Sequence, residues 1–550
     1  MDEPTRTMPH PQLQPDGSVR GRLTLTPKEL TTRALFTLPP SRVIPVIVLP
    51  GTMGSNLRAT TNPAQPQNQA LAPGEEAWRP PNGSYAGIKE GKKWDDRDAA
   101  LRQQILDHET LEVDDQGEID LPMLAAADGI GAEQSRERGW GQAHWDSYGA
   151  LLYTLERNLN ATFYNFNGTR TLESHWQVIN SFDRERWGWP GAVTGVVKPL
   201  LDSEFEQFAK HHFPVYAHGY NWMASNEDSA RLLQSRIERI IAFWAGRKQV
   251  CTQVILVTHS MGGLVARACA KNIPNSIAGI IHGVMPTLGA PVCFSRIACG
   301  TETTRPGAGK IDTIALEVVA KIVGPSAADT TAVMATAPGA LELLPTHLYQ
   351  RKWLHIASIQ RDAPVNQHFS LPEGNPYDFY RDTKPWYRLI DPALADPADK
   401  YKANLAHTLR KTVDQAERFH RQIIDTYYHP NTYAFYGDDA LPTFGEFRWT
   451  AIASLAGKSV TAIKAGRGMG NTFGGGRSVM FPDSGSMYFE RQPQDANGDG
   501  TVPSHSGAGP LGKIKHLFAT RGYDHQGCYN DKAMIALTQH LIVRIVQDLA

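Results

Sequence analysis

The sequence predicts an α/β fold built on a mostly parallel central sheet covered on both faces by helices. Three observations carry that prediction. Short apolar, β-branched runs recur at Val43–Leu49, Val254–Val257, Ile277–Pro286 and Thr432–Gly437 without polar alternation, the pattern of strands buried on both sides. Segments with helical spacing follow several of these runs, as in strand–helix–strand units. One run ends in a sharp, Ser- and Gly-containing turn that opens directly into a helix.

Composition bounds the function before any motif is considered. Of 550 residues, 41% are hydrophobic and 20% charged, enough for a large core and against global disorder. Lys and Arg number 55 against 56 Asp and Glu, a net charge of −1 that argues against a general polyanion binder. No phosphate loop, basic stripe or nucleic-acid motif occurs, so nucleic acid is not an expected partner. Five cysteines form no disulfide framework, and unpaired thiols are expected. No apolar run approaches the ~20 residues of a spanning helix. The polar, Pro-rich start, MDEPTRTMPHPQLQPDGS, has no signal-peptide core, so a soluble protein made in the cytoplasm is expected.

Taken in order, residues 1–40 read as a loose arm and 41–550 as one domain with two insertions. Val43–Leu57 is a buried strand closing on a Gly-rich turn. Residues 60–138 are polar and rich in Pro, Gly, Asn and Asp, and read as the first insertion. Trp140–Leu159 is a helix with Leu151, Leu152, Leu155 and Leu159 on one stripe. Pro214–Trp222 is a strand and turn, followed by a helix bearing Leu233, Ile237, Ile240, Ile241 and Trp244. Val254–Val257 leads into a helix from about Met261, and Ile277–Pro286 is the next strand. Residues 290–430 are too long for a simple connection and read as a cap or lid. They hold an apolar helix at Ile311–Val323, aromatic Trp353, Trp386 and Tyr387, and a long helix from Lys400 to Tyr428. A strand at Thr432–Gly437, a hairpin of RSVMF and SMYFER, and a final helix at Asn530–Leu549 complete the chain.

Thr258-His259-Ser260-Met261-Gly262 has the context of a nucleophile elbow, which makes the fold an α/β-hydrolase. The turn requires small neighbours around Ser260, although the first small position is Thr258, where glycine is commoner. The Met261 amide at the helix start offers one donor to an oxyanion. The loop Leu49–Ser55 offers the other through Thr52 or Met53, with Gly51 and Gly54 permitting close approach. In this fold the acid and then the histidine follow the serine. Asp499, in Asn497–Pro503, and His525, on the loop before the last helix, fill those places; His505, His516, Asp524 and Asp438 compete. Asp495-Ala-Asn497-Gly-Asp499-Gly500 also matches the first half of a calcium loop, but its twelfth position is Ser506 and Pro503 interrupts it. No metal or cofactor is expected.

The phrases PGTMGSNL, GYNW, THSMGGL, GDGTVP and the terminal His loop stand in the order seen in lecithin:cholesterol acyltransferase-like and GPI-inositol-deacylase-like lipases. GWGQAHWDSYGALL, VYAHGYNWMASN, IIHGVMPTLGAP and PGALELLP most resemble bacterial type VI secretion lipase effectors within that group. The resemblance implies a Ser260–Asp499–His525 triad, cleavage of fatty-acyl esters of membrane phospholipids, delivery into a target cell's periplasm by a secretion-system component, and a cognate immunity protein. A lipase or phospholipase acting through an acyl-serine is the expected function. An acyltransferase or general carboxylesterase of the same fold, and a non-catalytic hydrolase-fold binding protein, are the alternatives.

Overall fold

A computed structural model describes residues 5–7, 12–13, 19–20, 33–35, 40–123, 130–166, 169–182, 187–188, 197–307, 309–350, 352–360, 363–471, 475–482 and 485–549. Of the expected N-terminal arm it describes only four short strand pieces; the rest lies outside the described residues. The central sheet has six strands: β1 (Val46–Leu49), β2 (Val215–Ala217), β3 (Val254–His259), β4 (Ile277–Gly283), β5 (Thr432–Gly437) and β6 (His516–Thr520). Their order is β2-β1-β3-β4-β5-β6, and every neighbouring pair is parallel.

Both faces are buried, which explains the missing polar alternation. Ile47, Leu49, Val254 and Leu256 enter one core, and Val46, Val48, Ile255 and Val257 enter the other. The helices that matter to the site are α1 (Ser84–Asp95), α2 (Ala99–Ile105), α3 (Trp145–Leu159), α4 (Asn226–Ala245), α5 (Gly262–Asn272), α6 (Lys310–Val323) and α7 (Lys532–Gln547). Leu233, Ile237, Ile240 and Trp244 of α4 and Leu264 and Val265 of α5 fill the first core. The second takes the leucine stripe of α3 with Leu541, Ile542 and Ile545 of α7. All five cysteines are free.

Both insertions are more ordered than their composition suggests. In the first, Glu76–Trp78 and Leu111–Val113 pair antiparallel with Leu57–Ala59 just before it, forming a small sheet. Its polar sequence hides an aromatic knot: Trp78 lies 5.9 Å from Trp94 and 5.3 Å from Trp222, ring to ring. The long helix expected from Lys400 begins only at Leu405 and passes into a π-turn at Phe419–Ile424. The Asp396 carboxylate holds the backbone N–H groups of Lys400 and Tyr401, each at 2.8 Å, and keeps that stretch out of the helix.

A second six-stranded sheet has the order Ala363–Leu371, Leu354–Gln360, Phe447–Ala451, Gly485–Arg491, Arg477–Phe481 and Arg467–Asn471. The expected excursion at 290–430 therefore resumes after β5, and the RSVMF/SMYFER hairpin belongs to this sheet. Leu354–Ser358 pairs in parallel with Phe447–Ala451. Parallel pairing needs a long crossover, here one that runs through β5, and local sequence pattern carries no trace of it.

Two phrases far apart in the chain meet beneath α4. Gly339 N donates to Met223 O at 3.1 Å. Glu342, fully buried, places Oε1 2.9 Å from Ser225 Oγ and accepts the Asn226 N–H at 2.8 Å on Oε2. Burial pushes its carboxyl up to about 8, against the pull of the bonds from Asn226 and Ser225. The folded value lies above the unfolded one, so the folded state holds the proton more tightly. The stability this proton contributes is full below the ordinary carboxyl range and is lost as pH rises through about 8. Urea midpoints measured at about pH 5 and about pH 8.5 should fall with pH in the wild type, and Glu342→Gln should flatten that slope.

Candidate active site

Strand β3 ends at His259 and α5 begins at Gly262, leaving Ser260 in the turn with φ 51. A non-glycine residue in that region carries strain of order 1–3 kcal/mol, held by its surroundings. Ser260 N donates to Gly283 O at 2.9 Å, and Gly263 N to Ser260 O at 3.0 Å. A Cβ on Gly262 would stand 2.5 Å from Pro50 O, and one on Gly263 2.6 Å from Met285 Sδ. Thr258 fits because its Oγ1 turns to His282 Nδ1, 2.9 Å away on β4.

The structure brings together the serine, acid and histidine picked from sequence. Ser260 Oγ lies 2.8 Å from His525 Nε2, and His525 Nδ1 lies 2.7 Å from Asp499 Oδ2. The other carboxylate oxygen of Asp499 accepts the Thr501 N–H at 3.0 Å and the Val502 N–H at 2.7 Å. Asp499 is 1% exposed and Ser260 6%. The carboxylate fixes the Nδ1–H tautomer, which leaves Nε2 free to accept the serine proton. Glycine at 437, the end of β5, allows this approach: a Cβ there would sit 2.7 Å from Asp499 Cβ.

The competing residues serve elsewhere. The His505 ring stands edge-on to Tyr349 at 4.6 Å, and His516 stacks on Phe518 at 4.4 Å. Asp524 accepts the Gly527 N–H at 2.7 Å, and Asp438 faces the Arg521 guanidinium at 3.7 Å. The half-match to a calcium loop is a strand, Ala496–Asp499, paired antiparallel with Asp439–Thr443. Asp495 instead accepts the Gly445 and Glu446 N–H groups at 2.9 and 3.2 Å. Among the described residues no cluster of three or more His, Cys, Asp or Glu has metal-binding geometry.

The two segments expected to supply oxyanion donors meet at Thr52 and Met261, next to Ser260. Thr52 Oγ1 lies 3.4 Å from Met261 Sδ, and Met53 turns at φ 64. The amides of Thr52, Met53 and Met261 donate to no protein group among the described residues. Supports that sequence reasoning did not assign hold this loop from behind. Tyr220 Oη donates to Pro50 O at 2.9 Å, Trp78 Nε1 to Met53 O at 2.9 Å, and His144 N to Gly54 O at 2.9 Å. The GYNW phrase was the available signal: its tyrosine is the anchor of Pro50.

Residues 211–305, which carry β2, β3, β4 and the elbow, match a family model described as PGAP1-like alpha/beta domain. The fold is that of an α/β-hydrolase, and over these residues the chain is similar to the PGAP1-like group. Across 92% of this chain and 98% of the other, the structure is similar to a chain in the crystal structure of a Tle4-Tli4 complex, with TM-score 0.72 and 28% identity. The likeness to type VI lipase effectors read from the motifs is thus shown in structure as well. No curated protein matches the sequence.

The two readings of the Asp499 loop separate by mutation. Asp499→Asn keeps shape but favours the wrong tautomer, and an analogous change in a serine protease lowers kcat about 10⁴-fold. Asp495→Ala should leave kcat on a soluble ester nearly unchanged, and a chelator should affect neither wild type nor variants. Loss of wild-type activity in chelator, restored by calcium, would overturn this.

Proposed function

We propose that this chain is a serine lipase that hydrolyses fatty-acyl esters of membrane phospholipids through an acyl-serine intermediate. The observation that carries the reading is the unbroken line Ser260 Oγ–His525–Asp499. His525 Nε2 takes the hydroxyl proton as Ser260 Oγ attacks the ester carbonyl. The amides of Met261 and of Thr52 or Met53 receive the oxyanion. The proton passes to the departing alcohol, and water then cleaves the acyl-serine by the same route in reverse.

The lipid preference rests on a surface formed by the two insertions. Helices α1 and α6 lie side by side: a Cβ on Gly91 or Gly87 would stand 3.5 or 3.7 Å from Val318 Cγ1. Tyr85, Ile88, Ile314 and Val319 are exposed on these helices, Tyr85 by 85%. The likeness to the effector of the Tle4-Tli4 complex supports a role as an antibacterial effector, with a cognate immunity protein and delivery by a type VI system into the target periplasm. Among the described residues no helix is long and apolar enough to cross a membrane.

The direct test is a fluorophosphonate label mapped to Ser260, with hydrolysis assayed across a phospholipid panel and products weighed by mass spectrometry. Ser260→Ala should lose activity by up to ~10⁶ in kcat, and His525→Ala nearly as much, because the two act as one unit. His505→Ala should retain most activity. A live Ser260→Ala enzyme would end the proposal.

The surface makes a separate prediction. Ile322 is only 8% exposed and packs in the core, so changing it would test folding rather than lipid contact. Ile311's side chain lies outside the described residues, and Val318 faces α1. The informative variant is therefore Ile314→Ser with Val319→Ser. It should reduce hydrolysis of aggregated phospholipid while sparing a soluble ester; equal loss on both would assign these residues to stability alone.

A further inference from the structure

His259, the residue before the nucleophile, is buried and takes no part in the triad. Its Nε2 lies 2.8 Å from the carbonyl oxygen of His525, and its Nδ1 lies 2.7 Å from Tyr148 Oη. A carbonyl only accepts, so Nε2 carries the proton. Burial, reinforced by repulsion from His525, lowers the pKa of His259 to about 3, so the ring is neutral and Nδ1 accepts. Tyr148 therefore donates to Nδ1, while its oxygen accepts the Gly51 N–H at 2.9 Å. Burial also raises the Tyr148 phenol well above its ordinary value, so that hydroxyl keeps its proton. Every bond in the chain has one direction: Gly51 N–H to Tyr148, Tyr148 O–H to His259, His259 N–H to the His525 carbonyl.

We propose that Tyr148 and His259 are positioning residues that set the separation between the oxyanion loop and the triad histidine. The inference rests on the hydrolase reading above and goes beyond it. The two ends of the chain are the two parts of the machine that must act together. One is the backbone that leads into the Thr52 and Met53 amides; the other is the backbone of His525. They belong to segments 474 residues apart (51 and 525). The bridge has no slack. A Cβ on Gly51 would stand 2.6 Å from His259 Nδ1 and 2.8 Å from Ser260 Cβ, and one on Gly54 would stand 2.7 Å from Tyr148 Oη. The tyrosine comes from the start of α3, whose residue Ser147 also meets the neighbour of His525: Gln526 Nε2 donates to Ser147 Oγ at 2.6 Å. One helix start thus touches both the oxyanion loop and the histidine loop.

Tyr148→Phe is the primary test because it keeps the buried ring and removes only the hydroxyl. Turnover of a soluble ester is normalised to sites titrated with fluorophosphonate, and affinity is measured for a boronic acid that mimics the tetrahedral oxyanion. The proposal expects kcat per titrated site to fall by about 10²-fold, the cost of an ångström-scale misplacement, with KM little changed. Boronic-acid affinity should fall in parallel. His259→Ala should behave the same way, His259→Gln, which keeps a donor for the His525 carbonyl, should recover part of the loss, and Tyr148→Phe/His259→Ala should be no worse than the worse single variant. A bridge that serves only packing would lower the melting temperature and the titrated fraction, with kcat per site unchanged; that result, or multiplicative losses in the double variant, overturns the proposal. A wild-type protein that takes no label at Ser260 would instead fail the hydrolase reading itself, whereas a labelled wild type with unimpaired variants fails the bridge alone.

Discussion

The left-handed backbone at Ser260, φ 51, is the constraint on which the rest of the site depends. It lifts the serine hydroxyl off the end of β3, and it persists only because the surroundings over-determine it. The Gly283 carbonyl on β4 takes the serine amide, and the loop after β1 presses against the turn closely enough that Gly51 and Gly262 admit no side chain. The parallel order β1-β3-β4 is what delivers both neighbours to the same end of the sheet. Site and sheet are therefore one mechanical problem: the same close approaches that strain the serine bring the loop after β1 up to it.

The residues that the fold brings together around Ser260 were legible in sequence because their physics is local. A strand that turns into a helix within three residues leaves few solutions, and Thr258–Gly262 announces one. Asp499 and His525 followed from chain order and from their loops, and the structure places them on either side of one imidazole bond. The residues of the Tyr148–His259 bridge were not legible. Tyr148 looks like one more residue of an amphipathic helix, and His259 like a strand residue, until the fold brings Gly51, Tyr148, His259 and His525 into a line. Hydrogen bonds between residues hundreds apart leave no periodic trace.

The insertions show the same division. The apolar helix Lys310–Val323 was readable from its spacing, but not which of its faces is covered. Arg102 of α2 decides that. Its guanidinium takes the carbonyls of Lys321 at 2.8 Å and Ile322 at 3.0 Å, and so pins the end of α6 onto the first insertion. Cations at a helix C-terminus are favoured there by the exposed carbonyls and the dipole. With that end fixed, Ile322 turns inward while Ile314 and Val319 stay exposed. Two segments that read as independent excursions are thus joined into one surface.

The second sheet is also wired to Asp499. The chain leaves the central sheet at β5, pairs as Asp439–Thr443 with Ala496–Asp499, and between these strands makes four strands of the second sheet. Asp499 is the last residue of the returning strand. Thr443 Oγ1 donates to Thr501 O at 2.9 Å, and Asp495 caps the Gly445 and Glu446 amides just before the cap strand Phe447–Ala451. A displacement of the cap sheet therefore acts first on the ladder that ends in Asp499. Because Asp499 meets His525 at 2.7 Å, and hydrogen bonds weaken steeply once their geometry opens, that ladder couples the second sheet to the Asp499–His525 pair.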